Sequence, residues 1–190
     1  MLLRTPIQFC KSCGQSAQYR LPDDGDTKPR AVCTVCHTVH YENPLLIVGT
    51  IPYLESQGLL QVLLCLRNIE PRKGKWTLPA GFMELGETTA QGAARETQEE
   101  AGADIEMQAV FTMLSVPIAG QVHVFYRAKL LSETYHPGYE TVKVQLFSED
   151  QLPWDELAFT TVKTTLRHFF DDAKTGVFRF HEHDLTAPRP

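Results

Sequence analysis

Residues 76–103, WTLPAGFMELGETTAQGAARETQEEAGA, decide how this chain folds. A short extended segment leads into a glycine-bracketed loop, and the loop leads into a helix carrying a carboxylate cluster. Thr88 and Gln91 make a T-x-x-Q capping box, which predicts a helix beginning near Thr89. Gly102 is the natural stop at its far end. At about 100° per residue, Ala90, Ala93, Ala94, Thr97 and Ala101 share one arc, the expected core side. Glu96, Glu99 and Glu100 fall on an adjoining arc about 100° wide. Like charges at this spacing repel by roughly a few tenths of a kcal/mol per pair. A divalent cation turns that repulsion into coordination, because hard cations take several carboxylate oxygens from one side. Gly92, one turn before Glu96, leaves room for something to approach. A solvated acidic helix face is the plainer reading of three glutamates alone.

The complete spacing favours the metal reading. Gly81, five residues, Glu87, seven residues, then Arg95-Glu96-Thr97-Gln98-Glu99-Glu100-Ala101-Gly102-Ala103 resembles the Nudix box, G-x5-E-x7-R-E-U-x-E-E-x-G-U. All seven charged and glycine positions match. Thr97 and Ala103 depart from the bulky aliphatic residues usual at the two U positions, which bears on helix packing and not on chemistry. The resemblance implies an α/β/α sandwich over about residues 44–172. It also implies water attack on phosphorus in a nucleoside diphosphate linked to another group. Such a diphosphate repels hydroxide, so its charge must be neutralised and its water activated. By position in the motif, Glu96 and Glu100 are the expected Mg²⁺ (or Mn²⁺) ligands, with Glu99 sharing an ion and the carbonyl of Ala80 as a further ligand. Arg95 and Glu87 form the expected orienting pair. The family often takes its general base from a loop outside the box. Glu140 is the first choice here and Glu133 the second.

A chain of 190 residues accommodates one main domain and a small accessory module. Apolar content of 43% and charged content of 22% describe an ordinary globular protein. A formal charge of −5 tells against a strong electrostatic nucleic-acid binder. No apolar run approaches the ~20 residues of a membrane span, and no signal peptide is visible. A reducing cytoplasm is expected.

Residues 1–43 form the accessory module. Cys10-Lys-Ser-Cys13 and Cys33-Thr-Val-Cys36 are C-x2-C knuckles separated by 19 residues, the spacing of a four-thiolate zinc site. The intervening QYRLPDDGDTKPRAV reads as a hairpin. Few apolar residues lie here, so structural Zn²⁺ would supply the folding free energy. Disulfides or a redox pair are the alternatives. His37 and His40 are spare donors beside a filled shell. For the ribbon's partner, nucleic acid, a second copy of the chain in a homodimer, and the catalytic domain all stay open.

Beyond Pro44, Leu45–Leu54 and Gly58–Arg67 read as a β-hairpin, with Cys65 in the core. The basic segment through Arg67, Arg72, Lys73 and Lys75 is either a solvated loop or a phosphate-side patch. After the box, residues 105–116 and 121–131 read as strands, 132–141 as a loop and 142–147 as a short strand. A helix is expected over 156–172, with Leu157, Val162, Leu166 and Phe169 or Phe170 on one side. Residues 173–190 are expected to form a tail, with a strand-like VFRFHEH and a mobile Pro-rich end.

The resemblance extends beyond the box. The ribbon, HYENP, EPRKGKWTLPAGFMELGET and PWDELAF look like zinc-ribbon Nudix hydrolases related to FAD and ADP-ribose pyrophosphatases. That implies a small-molecule nucleotide substrate with an adenosine half, FAD or ADP-ribose. Ribbon-bearing NADH pyrophosphatases carry S-Q-P-W-P-F-P after the box, which is absent here, so NADH is disfavoured. Nucleoside triphosphate hydrolysis and RNA-cap hydrolysis are minor alternatives. A non-catalytic nucleotide sensor or nucleic-acid adaptor is the alternative of a different class, and the complete set of box carboxylates tells against it. Trp76, Phe82, Tyr139 and Trp154 are candidate stacking groups for adenine or flavin; any of them could be core instead, and for Trp76 and Phe82 the core is the better reading.

Overall fold

A computed structural model describes residues 5–186. The chain divides into two units, residues 1–44 and 45–190.

In the first unit, strands β1 (Ala17–Arg20), β2 (Arg30–Cys33) and β3 (Val39–His40) make a small antiparallel sheet. The knuckles bring four unbonded thiols together, with Sγ separations of 3.6 Å for Cys10–Cys36, 3.5 Å for Cys13–Cys33 and 3.4 Å for Cys13–Cys36. Tetrahedral Zn–S bonds of about 2.3 Å place sulfurs about 3.8 Å apart, so a small outward shift admits the ion. The backbone N–H of Ser12 donates to Cys10 Sγ, and those of Val35 and Cys36 donate to Cys33 Sγ. Such bonds suit thiolates. This is a structural zinc ribbon.

The second unit is built on one mixed sheet. Its strands are β4 (Leu45–Ser56), β5 (Leu59–Arg67), β6 (Trp76–Thr77), β7 (Ala80–Phe82), β8 (Ile105–Val116), β9 (Gln121–Leu130), β10 (Thr141–Phe147) and β11 (His181–Asp184). The order across the sheet is β10-β5-β4-β9-β8-β11, with β6 paired to β5 and β7 to β4. The β4–β5 hairpin pairs only at its closed end, Tyr53–Ser56 against Leu59–Val62. Further out the two strands diverge and the 76–82 segment enters the gap. Gly49 makes this possible, because a Cβ there would collide with the Ala80 Cβ and lie 2.5 Å from the Pro79 carbonyl oxygen.

Strand alternation sends β5 residues to opposite faces. Val62 and Leu64 join Ile51, Phe111, Phe125 and Phe147 under helix α2 (Thr160–Thr175), which contributes Val162, Leu166, Phe169 and Phe170. Leu63 and Cys65 pack on the other face with Leu130, Val144, Ala101 and Ala103, at the end of helix α1 (Thr89–Ala101). The result is an α/β/α sandwich. A buried hydroxyl pair ties each helix to the sheet: Thr50–Thr97 at 2.6 Å under α1, and Thr112–Thr165 at 2.9 Å under α2.

Three expectations change. Helix α2 begins at Thr160, not at residue 156, because Leu157 bridges to Trp76 and the Ala158 N–H donates to the Trp76 carbonyl at 2.8 Å. That pairing holds Leu157 and Phe159 in extended conformations. It ends at Thr175, where Gly176 takes the left-handed conformation. The tail also contributes to the sheet: among the described residues 177–180 pairs with no strand, whereas β11 runs parallel to Thr112–Ser115 of β8. The expected mobile end at 187–190 lies outside the described residues. No helix among the described residues is long and apolar enough to cross a membrane.

Candidate active site

Helix α1 starts at its capping box. Thr88 Oγ1 accepts from the Gln91 N–H at 3.2 Å, and Gln91 Oε1 accepts from the Thr88 N–H at 2.8 Å. It stops at Gly102, whose left-handed backbone lets its N–H reach the Gln98 carbonyl at 3.0 Å. The buried arc is rotated from the expected one. Gly92, Ala93, Thr97, Glu100 and Ala101 are buried, whereas Ala90 and Ala94 are half-buried. Two neighbours cause this. Glu87 and Val48 fill the space over Gly92, where a Cβ would lie 2.5 Å from Glu87 Oε1 and 2.8 Å from Val48 Cγ2. The 132–140 loop covers the far end. Its His136 N–H donates to the Ala101 carbonyl at 2.9 Å and its Gly138 N–H to the Glu100 carbonyl at 3.1 Å.

Arg95 organises the carboxylates. Its Nε and Nη2 grip Glu87 at 3.0 and 2.9 Å, Nη1 reaches Glu96 at 2.8 Å and Glu99 at 3.2 Å, and Nη2 also donates to the Phe82 carbonyl at 3.2 Å. The Arg95 guanidinium, helped by the Glu84 N–H, holds Glu87 down at about 2. The Glu96 carboxylate lies directly over Gly81, where any Cβ would collide with it. Burial raises the Glu96 pKa despite Arg95 beside it.

Glu100 is 7% exposed and accepts from the Ala80 N–H at 3.1 Å, which sets the Ala80 backbone against the cluster. Burial pushes Glu100 up to about 8, with the Glu96 and Glu140 charges adding to the rise and the Ala80 N–H and Arg67 opposing it. A deeply placed carboxylate, a half-buried one and an exposed one along one helix edge form a hard-oxygen donor set that suits a divalent cation. Among the described residues, no cation forms an ion pair with Glu100. The donors therefore fit Mg²⁺.

Among the remaining candidates, Glu140 acts electrostatically on both Glu96 and Glu100. Its carbonyl accepts from the Asn68 N–H at 2.8 Å, joining the loop that carries Glu140 to the end of β5, where Arg67 is the last residue. Arg67 lies over the Phe159 ring at 5.2 Å and lowers the Glu100 pKa. Glu133 is exposed on the same loop. Arg72 sits at φ 67° and closes the loop through its carbonyl. Among the described residues, no hydrogen bond or ion pair joins its side chain to the carboxylates. Trp76 is corrected from a stacking candidate to a core residue: it is 8% exposed, with its ring edge-on to Phe147 at 4.9 Å. Trp154 packs against the α2-side core with Arg167 over its ring at 5.8 Å, away from the box helix. Phe82 at 50% and Tyr139 at 93% exposure keep open faces. The roles of Thr50, His136 and Gly138 depend on tertiary contacts, and no local sequence signal marks them.

The Nudix N-terminal zinc-ribbon family matches residues 8–42, and the NUDIX domain family matches residues 44–172. A crystal structure of a NUDIX hydrolase from Nitrosomonas europaea superposes with a TM-score of 0.88 at 45% identity, covering 95% of this chain and 99% of that one. An ADP-ribose pyrophosphatase from Streptococcus suis gives a TM-score of 0.55 at 25% identity, covering 75% of this chain and 99% of that one. A curated relative from Vibrio vulnificus, the NAD-capped RNA hydrolase NudC, is 27% identical over 150 residues, 77% of this chain and 53% of the relative. The chain spans just over half to three-fifths of the length of the first curated relatives it matches. With a family match over most of its length and a ribbon match ahead of it, the chain belongs to the Nudix hydrolase family.

Proposed function

We propose that the second unit hydrolyses the pyrophosphate bond of a nucleoside diphosphate derivative, with Mg²⁺ or Mn²⁺ held by Glu96, Glu99, Glu100 and the Ala80 carbonyl. The gathering of Glu96, Glu99 and Glu100 along one edge of α1, against the Ala80–Gly81 backbone and tied through Arg95 to Glu87, carries this reading. The bound cation would polarise the phosphate oxygens and lower the pKa of the attacking water. Arg95 and Glu87 hold the loop and the ligand carboxylates in register. Glu140, on a loop tied to α1 and to Asn68, takes the proton from the attacking water. Arg67 supplies positive charge for the diphosphate, and the open faces of Phe82 and Tyr139 suit a base or flavin ring.

The preferred substrate carries an adenosine diphosphate half: FAD or ADP-ribose, cleaved to AMP plus FMN or ribose 5-phosphate. The ribbon-Nudix motifs and the likeness to an ADP-ribose pyrophosphatase support it. A second reading rests on the curated relatives, whose names place NAD-capped RNA as their substrate. It cuts the same kind of bond with RNA as the partner, and the chain's acidic balance favours it less. A reducing cytoplasm, which keeps the ribbon thiols unpaired, is part of this proposal.

Side-by-side kinetics with FAD, ADP-ribose, NADH, NAD-capped RNA and a nucleoside triphosphate test the assignment. FAD or ADP-ribose should lead in kcat/KM. A tenfold lead for any of the others, about 1.4 kcal/mol of transition-state preference, overturns the substrate while leaving the bond chemistry standing.

A further inference from the structure

We propose that His168, His181 and His183 form a second transition-metal site, separate from the ribbon and the carboxylates, that takes Zn²⁺ and pins the C-terminal strand to α2. Strand β11 alternates half-buried and exposed residues, so His181 and His183, two apart, share its inner face. That face meets His168 on α2. The His168 ring lies 4.0 Å from that of His181 and 4.7 Å from that of His183, centroid to centroid. One nitrogen from each of the three lies within 4.8 Å of the others. Zinc–imidazole bonds of about 2.0–2.1 Å bring such nitrogens to about 3.3 Å in a tetrahedral site, so binding requires the rings, stacked at 17° and 11° to His168, to turn their nitrogens towards a common point.

Two further features suit a ligand set. Asp172, one turn beyond His168 on α2, accepts from His181 Nε2 at 2.9 Å and from the Arg179 N–H at 2.8 Å. Burial works against the Asp172 charge, but these two donors keep its pKa below the usual carboxylate value. An ionised acceptor fixes His181 as the Nε2–H tautomer and leaves Nδ1 with the lone pair. That is the carboxylate–histidine–metal arrangement. Burial also depresses the His168 pKa, which favours the neutral form that binds metals. Imidazole nitrogens suit Zn²⁺, Cu²⁺ or Ni²⁺ and not the Mg²⁺ expected at the carboxylates. Three protein donors leave a fourth position for water. Strand β11 is a four-residue edge strand that, among the described residues, pairs with β8 alone, so a metal tie to α2 would secure it.

The test titrates Zn²⁺ into the full chain, its ribbon zinc retained, at pH 7.5. Bound zinc is measured by equilibrium dialysis and the ring nitrogens by ¹⁵N NMR. One added equivalent should shift the ring nitrogens of His168, His181 and His183. The His181→Gln, His183→Gln double variant should bind it at least tenfold more weakly. With Mg²⁺ in excess to occupy the carboxylates, the shifts of the three histidine rings should persist. Should the double variant misfold, His168→Asn gives the same reading from the helix side. Ring nitrogens unmoved at saturating zinc, or undiminished affinity in the folded variants, would reduce the trio to a packing stack and overturn the proposal.

Discussion

Glu100 is a carboxylate that burial drives up to about 8, on a helix where two more carboxylates stand one turn or less away. In the metal-free protein the folded state therefore keeps a proton that the unfolded chain releases above its ordinary value near 4.5. Stability from this group falls as pH rises from about 4.5 to 8. Glu100→Gln removes that dependence. The melting temperature of the variant relative to wild type should climb across this window in chelator and shrink when Mg²⁺ is added. Glu87 behaves in the opposite sense. Arg95 holds it at about 2, so its contribution is complete above about 4.5 and is lost as pH falls towards 2. Glu87→Gln should melt below wild type at neutral pH, with the gap closing in acid. A constant gap would show that the pair is not coupled to protonation. Glu140→Gln should lower kcat with little effect on metal affinity, and an unchanged rate would move the base to Glu133 or into the box.

Helix α1 shows which physics a sequence displays. Its start and stop were legible because the Thr88–Gln91 capping box and Gly102 act locally. Its buried arc was not, because amphipathic spacing says nothing of the 132–140 loop that covers Glu100 or the Glu87 side chain that fills the space over Gly92. Thr97 explains the departure from an aliphatic residue in the box: its hydroxyl bonds Thr50 at 2.6 Å and the Ala93 carbonyl at 2.8 Å, both buried. Thr97→Val alone should cost about 1–3 kcal/mol by orphaning the Thr50 hydroxyl. The Thr50→Val, Thr97→Val pair should recover part of this, as a double-mutant cycle in denaturant would read out. Additive losses would contradict the pairing. Gly138→Ala would drive a Cβ into the Glu99 carbonyl. It should lift the loop from α1 and lower turnover more than it lowers metal affinity.

At the scale of the whole molecule, the thiol cluster was legible because Cys10, Cys13, Cys33 and Cys36 declare themselves by spacing, and the box because it resembles a known motif. The sheet was legible strand by strand but not in its order. The entry of residues 76–82 between diverging β4 and β5, permitted by Gly49, and the parallel addition of β11 to β8 are long-range pairings that no local pattern encodes. Trp76 misleads for the same reason: beside the box in sequence, it turns into the α2-side core. Two units imply separable stabilities. One zinc per chain should be found in the ribbon, and stripping it should unfold residues 5–44 while the far larger core of the second unit persists, as protease mapping after chelation would show. The central claim is that Glu96, Glu99 and Glu100 hold the cation that drives pyrophosphate hydrolysis. Its most direct test is AMP release from ADP-ribose by wild type and Glu100→Gln across a Mg²⁺ titration. The account predicts Mg²⁺-dependent AMP and ribose 5-phosphate from wild type, and a rate at least about a hundredfold lower in a variant that stays folded. Equal rates in the two proteins, or AMP release that ignores Mg²⁺, would contradict it.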